Sequence, residues 1–342
     1  MRNTILTVTG ATGFLGSALT TALIKRQVGA GPASVGSPVL RILARDERKA
    51  LHLFGNAVTI IKGDITNEEQ VKKAVDGATI VYHCAGRLYH PSVPADLYYQ
   101  THVEGTDTLL KACQGQTQLQ RLVYVSTSGV HGITGDTSAA EDAPFAPTNP
   151  YEATKLEGEL LALKAQQELG LPISVIRPGL VYGPGDLHLL GFFKAIKKGL
   201  FRVIDNGKAR LHPVYIDDML AALLLCAEHP QAVGRVYTIA GDHPVTIREL
   251  ATAIARALGR DLPIGSIPLW LANLASDIFA LLPGMKGEHA PLTRSRVKFL
   301  TNSRVYDISR AKSELGYMPV IDLEEGMQRT ATWYRKHHYL DD

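Results

Sequence analysis

Short runs of β-branched and other apolar residues recur along this 342-residue chain, and helical patterns separate them. Most of these runs lack alternation between hydrophobic and polar positions, which indicates strands that are covered on both faces in a parallel sheet. The predicted strands are Thr4–Thr9, Val39–Ala44, Ala57–Ile61, Thr79–Cys84, Arg121–Ser126, Ile173–Ile176 and Arg235–Ile239, and helices such as Ser17–Arg26, Asn67–Val75 and Gly105–Ala112 lie between them. This order predicts a doubly wound α/β fold.

The alternation of strands and helices loosens after about residue 180, where Pro and Gly cluster in "RPGLVYGPGD". We therefore predict a doubly wound domain over residues 1–182, to which residues 211–242 return. Residues 183–210 and 243–342 are expected to form mainly a smaller, substrate-binding domain. The Gly- and Pro-rich segment 27–38 is interpreted as a tolerated insertion in an exposed loop.

The segment Pro268–Gly284, "PLWLANLASDIFALLPG", has the pattern of a strongly apolar amphipathic helix. Its polar residues Asn273, Ser276 and Asp277 share one side. The favoured interpretation is that the apolar side packs in the core of the smaller domain. The alternative is a lid or wall for an apolar substrate, which leaves open an association with a membrane surface.

Composition narrows the class of protein. Hydrophobic residues make up 45% of the chain, enough for a sizeable core, and the net charge of +3 is too small to indicate a nucleic-acid partner. The three cysteines have no metal or redox spacing and the histidines do not group as metal ligands, so no metal site is predicted. With no signal-peptide pattern and no apolar run of about 18 residues, we expect a cytoplasmic protein without an integral membrane segment.

A glycine-rich turn follows the first predicted strand. In "TGATGFLG", Gly10, Gly13 and Gly16 lead from that strand into a helix. The spacing differs by one residue from the common dinucleotide fingerprint, but it meets the same physical need, because a turn without Cβ atoms lets backbone N–H groups approach a pyrophosphate. We predict that this turn binds the cofactor through Gly10, Thr12, Gly13, Phe14, Leu15 and Gly16.

The end of the second strand bears on the choice of cofactor. An acidic residue is expected there when the ribose 2′-hydroxyl of NAD is bound, but no Asp or Glu occurs from Ser17 through Arg45. Arg45 follows the strand and could pair with a 2′-phosphate, although Asp46 lies next to it. NADP(H) is therefore favoured over NAD(H).

Two further strand ends are expected to line the cofactor. Asp64 and Ile65 follow the third strand, where they could border the adenine. The small residues Cys84, Ala85 and Gly86 follow the fourth strand and would let the backbone approach the cofactor. Tyr89, a few residues later, could line the substrate cleft.

A tyrosine and a lysine, Tyr151 and Lys155, lie one helical turn apart just after Pro150. Hydride transfer between an alcohol carbon and a nicotinamide requires a group that takes or gives the hydroxyl proton. A free tyrosine, with a pKa of about 10, is a poor base at neutral pH. A neighbouring ammonium and the cationic nicotinamide would lower that pKa. A hydroxyl from "VSTSG", at residues 126–128, could hold the substrate oxygen.

Six ordered motifs, "TGATGFLG", "VSTSGVHG", "YEATK", "RPGLVYGPG", "HPVYIDD" and "SRAKSELGYMP", carry a family resemblance. Together they resemble the extended short-chain dehydrogenase/reductase family, which includes NAD(P)-dependent epimerases, dehydratases and 3β-hydroxysteroid dehydrogenases. The resemblance covers nearly the whole chain. It implies a Rossmann-type doubly wound parallel sheet with a smaller C-terminal substrate-binding domain.

The resemblance also implies roles for single residues. Thr127 matches the catalytic hydroxyl, Tyr151 the acid/base, and Lys155 the residue that lowers the pKa of the tyrosine and binds the nicotinamide ribose. The resemblance also indicates which residues would line the nicotinamide and the substrate. They are Arg177, Pro178, Gly179 and Val181 for the nicotinamide pocket, and Ser128 beside Thr127 for the substrate. Tyr89 and Tyr182 are further candidates for contact with the substrate. The resemblance further implies a homodimer, formed through helices Leu97–Cys113 and Tyr151–Leu169.

Two departures from the family pattern affect the expected function. His102 stands in "THVEGT" where many members have Asn, and Leu211 stands where nucleotide-sugar enzymes often have an Arg that grips the diphosphate. We therefore expect an NAD(P)-dependent oxidoreductase that interconverts a secondary alcohol and a ketone on a hydrophobic substrate, similar to a 3β-hydroxysteroid or an isoprenoid. The alternatives are a sugar-nucleotide epimerase or dehydratase with tightly bound NAD, and a catalytically silent dinucleotide sensor.

Overall fold

The computed structural model describes residues 4–29, 38–90, 92–263, 265–281 and 292–341. The strands are β1 (Ile5–Thr9), β2 (Val39–Ala44), β3 (Thr59–Lys62), β4 (Ile80–His83), β5 (Arg121–Val125), β6 (Ile173–Pro178), β7 (Leu180–Tyr182), β8 (Val203–Ile204), β9 (Arg210–Leu211), β10 (Pro213–Tyr215), β11 (Val236–Ile239), β12 (Val245–Thr246) and β13 (Ser266–Ile267). The α-helices are α1 (Phe14–Gly29), α2 (Glu47–Phe54), α3 (Glu68–Val75), α4 (Ala95–Tyr99), α5 (Gly105–Gln114), α6 (Pro150–Leu169), α7 (Leu190–Lys197), α8 (Ile216–Glu228), α9 (Ile247–Ala257), α10 (Leu269–Leu281), α11 (Arg294–Thr301), α12 (Ser309–Leu315) and α13 (Leu323–Lys336). A π-helical turn, Gln100–Glu104, joins α4 to α5.

Seven strands form one parallel sheet in the order β3-β2-β1-β4-β5-β6-β11. All seven strands predicted from the sequence are present, and the prediction of a doubly wound Rossmann-type sheet is confirmed. The strand order reverses between β1 and β4. Open α/β sheets bind ligands in the crevice at this point, outside the carboxyl ends of the strands.

The burial of the strands explains why the sequence shows no alternation. In β5, Val123 packs into the hydrophobic cluster on one face of the sheet, whereas Leu122 and Tyr124 pack into the cluster on the other face. All three side chains are fully buried. Helices α1 and α8 contact each other, as do α3 and α5, and α5 and α6. Both sides of a central strand such as β5 are therefore buried, as expected for a covered parallel sheet, whereas Thr59 and Lys62 of the edge strand β3 are exposed.

A third hydrophobic cluster lies among elements of the C-terminal half. Helix α9 packs against α7 and α13. The fully buried side chains of this cluster include Phe193 of α7, Ile254 of α9 and Tyr334 of α13. Tyr182 at the end of β7 also belongs to this cluster. The predicted insertion at 27–38 lies for the most part, at residues 30–37, outside the described residues.

Helix α10 presents its apolar side to the surface rather than to the core. Only Ala272 and Ser276 are buried in it. The exposed large side chains of this helix are Leu269, Trp270, Leu271, Leu274, Ile278 and Leu281. The favoured expectation of core packing is therefore wrong for this helix, because an apolar periodicity identifies an apolar face but not what covers that face. Residues 282–284, the end of the predicted helix, lie outside the described residues.

Candidate active site

The glycine-rich turn lies beside the end of β4, as the sheet order requires. Gly10 has a left-handed backbone with φ +71°, and a Cβ atom at Gly10 would stand 2.5 Å from the carbonyl of Cys84. A Cβ at Gly16 would collide with the carbonyl oxygen of Gly10. Gly13 is exposed, and a Cβ there would meet only the Gly10 oxygen, at 3.4 Å. Gly10 and Gly16 thus fit the strand, turn and helix together, while Gly13 leaves the start of α1 open to a ligand.

The other predicted residues of this turn surround the beginning of α1. Thr12, Phe14 and Leu15 are half-buried. The first N–H groups of any helix lack intrahelical partners, so the start of α1 offers donors to an anion. The side chain of Phe14 lies 3.5 Å from the position of a Cβ at Gly185, in the loop after β7. This contact brings the loop after β7 to the edge of the glycine turn.

Arg45 and Asp64 come together at the carboxyl edge of β2 and β3. Nη1 of Arg45 lies 3.9 Å from Oδ2 of Asp64, and both side chains are largely exposed. The neighbouring carboxylate of Asp46 accepts a hydrogen bond from the backbone N–H of Lys49 and caps α2. Ile65 is buried, and a Cβ at Gly105 would stand 2.6 Å from its Cγ2. Ile65 is thus packed beneath α5, whereas Arg45 is accessible.

Of the three hydroxyl residues that follow β5, only Thr127 is half-exposed and bonded to Tyr151. Ser126 is buried and donates a hydrogen bond to Glu159 at 2.5 Å. Ser128 is also buried, and its side chain hydrogen-bonds the phenol of Tyr306. The sequence left the choice among the three open, and the other hydrogen bonds leave Thr127 as the hydroxyl that faces the tyrosine.

The first turn of α6 is held firmly, which fixes the backbone of Tyr151. Asn149 caps the helix by accepting from the N–H of Glu152 at 3.0 Å, and Pro150 occupies the first helical position. The carboxylate of Glu152 accepts from the backbone N–H of Thr148 at 2.6 Å and pairs with Arg304 at 2.7 Å. This capping places Tyr151 at the second position of the helix, facing Thr127.

The phenol of Tyr151 is neutral at physiological pH in this structure. From the sequence we expect the ammonium of Lys155 to lower the pKa of this phenol. Burial instead raises that pKa to about 12, and the hydrogen bond with Thr127, rather than Lys155, opposes the rise. A neutral phenol can donate a proton to a ketone oxygen, whereas it is a poor acceptor for the proton of an alcohol. In the chain alone, Tyr151 is therefore poised as a general acid.

Lys155 is buried beside the end of β5. Burial lowers the pKa of its ammonium group to about 8, and the nearby Glu159 carboxylate opposes that shift. Nζ donates to the carbonyl oxygen of Val125 at 2.5 Å and lies 5.0 Å from the centre of the Tyr124 ring. At pH 7 the group is mostly charged. Its charge also affects the titration of Cys84, which locates the ammonium near the end of β4.

A chain of buried hydrogen bonds runs from β4 to α6 through two histidines. His83 contacts Thr9 through Nδ1 at 2.8 Å and Thr106 through Nε2 at 3.3 Å. Thr106 donates to the carbonyl of His102 at 2.6 Å. Burial is the main cause that lowers the pKa of both imidazoles, to about 3 for His83 and about 2 for His102. Both histidines are therefore neutral.

The hydrogen bonds of His102 define its tautomer and its function in the fold. The backbone N–H of Arg87 donates to Nε2 at 3.0 Å, so this nitrogen carries no proton. Nδ1 lies 2.9 Å from the hydroxyl of Thr154, which itself donates to the Pro150 carbonyl at 2.8 Å. Nδ1 is thus the protonated nitrogen. The ring meets Tyr151 edge-on at 5.5 Å between centroids, so His102 ties the loop after β4 to the start of α6.

The remaining predicted residues differ in their accessibility. Cys84 and Ala85 are half-buried and Gly86 is exposed at the end of β4, beside the glycine turn. Gly179 and Val181 are half-buried, Pro178 is buried, and Tyr89 is half-buried. Tyr182 has 2% of its surface exposed and packs edge-on against Tyr215 at 5.6 Å. These are the contacts of a core residue, and they do not bring the Tyr182 phenol to a cleft.

Sequence reasoning missed a buried ion pair behind the site, and Arg177, which the resemblance assigned to the nicotinamide pocket, is 2% exposed and belongs to this pair. Arg177 and Glu159 are both buried, with Nη2 and Oε1 2.5 Å apart. Arg177 also contacts Nε2 of His131 at 2.9 Å and donates to the Glu141 carbonyl at 2.8 Å. The spacing of Glu159 four residues after Lys155 was a signal that both share one face of α6. In the described part of the chain, no three His, Cys, Asp or Glu residues group as metal ligands.

Comparisons with known proteins agree with this geometry. The model of the "NAD dependent epimerase/dehydratase family" matches residues 6–240. The chain is 32% identical to a 3beta-hydroxysteroid-dehydrogenase/decarboxylase isoform 1 of Arabidopsis thaliana, over 94% of this chain and 78% of the relative. It is also 32% identical to a 2-alkyl-3-oxoalkanoate reductase of Shewanella oneidensis, over 94% of this chain and 84% of the relative.

Solved structures share the fold. A UDP-glucuronic acid 4-epimerase from Bacillus cereus, crystallised with UDP-glucuronic acid and NAD, superimposes with a TM-score of 0.75 at 23% identity, covering 97% of this chain and 99% of the epimerase. At 23% identity, this structural similarity supports a shared fold and not a shared activity. The family match over most of the chain and the two relatives at 32% identity support more: the chain belongs to the NAD-dependent epimerase/dehydratase family of extended short-chain dehydrogenases/reductases.

Proposed function

We propose that this protein is an NADP(H)-dependent oxidoreductase that interconverts a hydrophobic ketone and the corresponding secondary alcohol. The observation that carries the proposal is the hydrogen bond between Thr127 and Tyr151, one helical turn from the buried ammonium of Lys155. Thr127 would hold the carbonyl oxygen of the substrate, and Tyr151 would donate the proton to that oxygen. The bound dinucleotide would supply the hydride.

NADP(H) is the cofactor that we favour. Arg45 is exposed at the end of β2, and Arg48 and Lys49 are exposed in the same turn. The carboxylate of Asp46 caps α2 by accepting from the N–H of Lys49 through Oδ1, which occupies one of its two oxygens. A guanidinium beside the ribose suits a 2′-phosphate, although the contact with Asp64 partly neutralises it.

Two observations favour an apolar ketone over a nucleotide sugar as substrate. Leu211, where nucleotide-sugar enzymes often have a diphosphate-binding arginine, is buried in the third hydrophobic cluster, that of the C-terminal half. The names of the two relatives at 32% identity describe a hydroxysteroid and an alkyl-oxoalkanoate. The remaining alternative is a sugar-nucleotide epimerase, and the solved structures with NAD and UDP-sugars support it through the fold alone.

The exposed apolar face of helix α10 suits contact with a lipid surface. We propose that α10 lies against an anionic membrane surface, from which the protein would take up its apolar substrate. Its exposed Leu, Ile and Trp side chains adjoin α11, whose exposed charged residues Arg294, Arg296 and Lys298 are all basic. Arg294 pairs with Asp277 of α10 at 2.5 Å, so Arg296 and Lys298 contribute the net positive charge of this surface. Apolar residues flanked by cations are typical of helices that lie in a membrane interface. No helix within the described ranges is long and apolar enough to span a bilayer.

The two tryptophans of the chain allow a direct test of that surface. Trp333 stacks against Tyr339 at 5.4 Å between centroids, whereas Trp270 is 67% exposed. In the Trp333→Phe variant, vesicles that contain phosphatidylglycerol should shift the Trp270 emission to the blue, and a brominated lipid should quench it. The double variant Leu274→Gln, Ile278→Gln should lose both effects. An unchanged spectrum of the single variant with vesicles would contradict membrane contact.

Three coarser properties complete the proposal. Exposed Tyr99 and Leu160 lie on the helices expected to form a homodimer, and light scattering of a Leu160→Glu variant would test that dimer.

The free thiols of Cys84, Cys113 and Cys226 support a reducing compartment such as the cytoplasm. We retain the division into a dinucleotide-binding part, 1–182 with 211–242, and a mainly substrate-binding remainder.

The function is tested by following NADPH oxidation with three kinds of compound: steroid ketones, 2-alkyl-3-oxoalkanoates and simple aliphatic ketones. Turnover of at least one, with NADPH preferred to NADH, is the expected result. Absence of turnover with every ketone, together with tightly held NAD⁺ and stabilisation by UDP- or dTDP-sugars, would favour the epimerase instead.

A further inference from the structure

Arg87 carries a half-buried positive charge that pairs with no carboxylate of the described residues. It follows the small residues at the end of β4, and its Nε is closed off from solvent without a hydrogen-bond partner. Among the residues that the structure describes, no carboxylate lies within ion-pair distance of this guanidinium, and no acceptor pairs with its terminal nitrogens. A guanidinium has five N–H donors, and a partly desolvated charge is unfavourable until an anion pairs with it.

The contacts of Arg87 place it in the candidate active site. Its backbone N–H donates to Nε2 of His102 at 3.0 Å, and the ring of His102 lies edge-on to Tyr151 at 5.5 Å. The guanidinium is close enough to His102 to contribute to the lowering of the pKa of that imidazole. Two residues before it, Ala85 lies against the glycine turn, since a Cβ at Gly10 would stand 2.6 Å from the Ala85 nitrogen.

The anionic groups of the cofactor have other partners in this site. The N–H groups at the start of α1 are available to the pyrophosphate, and Arg45 stands at the end of β2 for a 2′-phosphate. Arg87 lies instead on the side of the loop that contacts His102, which in turn contacts Tyr151. The group that Arg87 binds is therefore expected to belong to the molecule whose oxygen faces Tyr151.

We propose that Arg87 binds a carboxylate of the substrate, so that the substrate is a hydrophobic keto acid or hydroxy acid rather than a neutral ketone. The inference rests on the proposed function and narrows its substrate class. Guanidinium and carboxylate form two parallel, charge-assisted hydrogen bonds, which fix the orientation of the bound acid as well as its affinity. The carboxylate undergoes no reaction; it holds the ketone carbon and oxygen in register with Thr127 and Tyr151.

The experiment compares a 2-alkyl-3-oxoalkanoate with its methyl ester, which keeps the ketone and the alkyl chain but lacks the charge. Wild-type enzyme should reduce the free acid with a kcat/KM about 10–100-fold above that for the ester. Arg87→Gln should remove that preference by lowering kcat/KM for the acid to the level of the ester, while the value for the ester changes less than about 3-fold. Arg87→Lys should recover part of the preference, because it keeps a charge without the bidentate geometry.

Three outcomes would overturn the proposal. An equal loss of kcat/KM for the acid and for the ester would show that Arg87 acts through the structure of the site and not through the substrate carboxylate. Arg87→Gln keeps the backbone hydrogen bond to His102, so the substitution changes the side chain without breaking that link. A rise in KM for NADPH with unchanged discrimination between acid and ester would assign the anion to the cofactor. Wild-type enzyme that reduces acid and ester equally well would remove the carboxylate site but leave the ketone reductase intact. Arg260→Gln, at an exposed arginine after α9, is the matched control and should change nothing.

Discussion

The ammonium group of Lys155 donates a hydrogen bond to the carbonyl oxygen of Val125 at 2.5 Å, at the end of the strand that also carries Thr127. This bond fixes a buried charge next to the hydroxyl that faces Tyr151. The cost of burying that charge is visible in the pKa of Lys155, which burial lowers to about 8 from an ordinary 10.5. A charge retained in this position despite that cost suits a functional residue.

The first prediction concerns the effect of this charge on stability. Between about pH 8 and 10.5 the unfolded chain binds a proton at Lys155 that the folded chain does not, so stability from this group rises with pH across that window. Lys155→Met should therefore unfold with a free energy about 1–3 kcal/mol higher than wild type at pH 7. The difference should shrink by pH 10. A difference independent of pH in urea titrations would contradict the assignment.

The second prediction concerns the buried ion pair between Arg177 and Glu159. Arg177→Met leaves a buried carboxylate without its partner and should lower the free energy of unfolding by about 3–5 kcal/mol. The double variant Arg177→Met, Glu159→Leu removes both charges and should recover most of that loss. Urea unfolding of the two variants gives the comparison, and a double variant that is less stable than the single one would show that the charges act separately.

The third prediction concerns His102 as a positioning residue. His102→Ala breaks the link between the loop after β4 and the start of α6, so kcat should fall by about 10–100-fold while KM for NADPH changes little. His102→Asn keeps one donor and one acceptor and should recover most of the lost activity. If Ala and Asn behave alike, or if KM alone responds, the hydrogen-bond link is not what positions Tyr151.

The fourth prediction concerns cofactor preference and uses two substitutions of opposite sign. Arg45→Ala should raise KM for NADPH by about 10-fold or more without changing KM for NADH. Asp64→Asn removes the carboxylate 3.9 Å from that guanidinium and should lower KM for NADPH. Steady-state kinetics with both cofactors provide the measurement. Parallel changes for NADPH and NADH would contradict binding of a 2′-phosphate by Arg45.

Elements with local signals could be predicted from the sequence. The seven strands could be predicted because each is a short apolar run. The glycine turn could be predicted from the spacing of its glycines, and the structure gives the reason for two of them: a Cβ atom at Gly10 or Gly16 would collide with the backbone. The spacing of Tyr151 and Lys155 followed from helical geometry. These features depend on short stretches of chain, which is why the pattern alone identified them.

Features that depend on contacts between distant parts of the chain could not be predicted from the sequence. Thr127 could be chosen over Ser126 and Ser128 only by resemblance, since the partners Glu159 and Tyr306 come from other parts of the chain. The unpartnered guanidinium of Arg87 likewise has no sequence signal. The outward apolar face of α10 was predicted wrongly for the same reason: a periodic pattern does not show what covers a helix.

The most direct test of the account is the substitution Tyr151→Phe, because it removes only the phenolic hydroxyl that hydrogen-bonds Thr127. With a ketone that wild-type enzyme reduces, we predict a 10²–10⁴-fold loss of kcat/KM, the range of general acid catalysis, with an unchanged Kd for NADPH. Tyr339→Phe, which keeps the ring that stacks on Trp333, is the control and should retain full activity. Full activity of Tyr151→Phe in the same assay would contradict the assignment of the proton donor and with it the proposed chemistry.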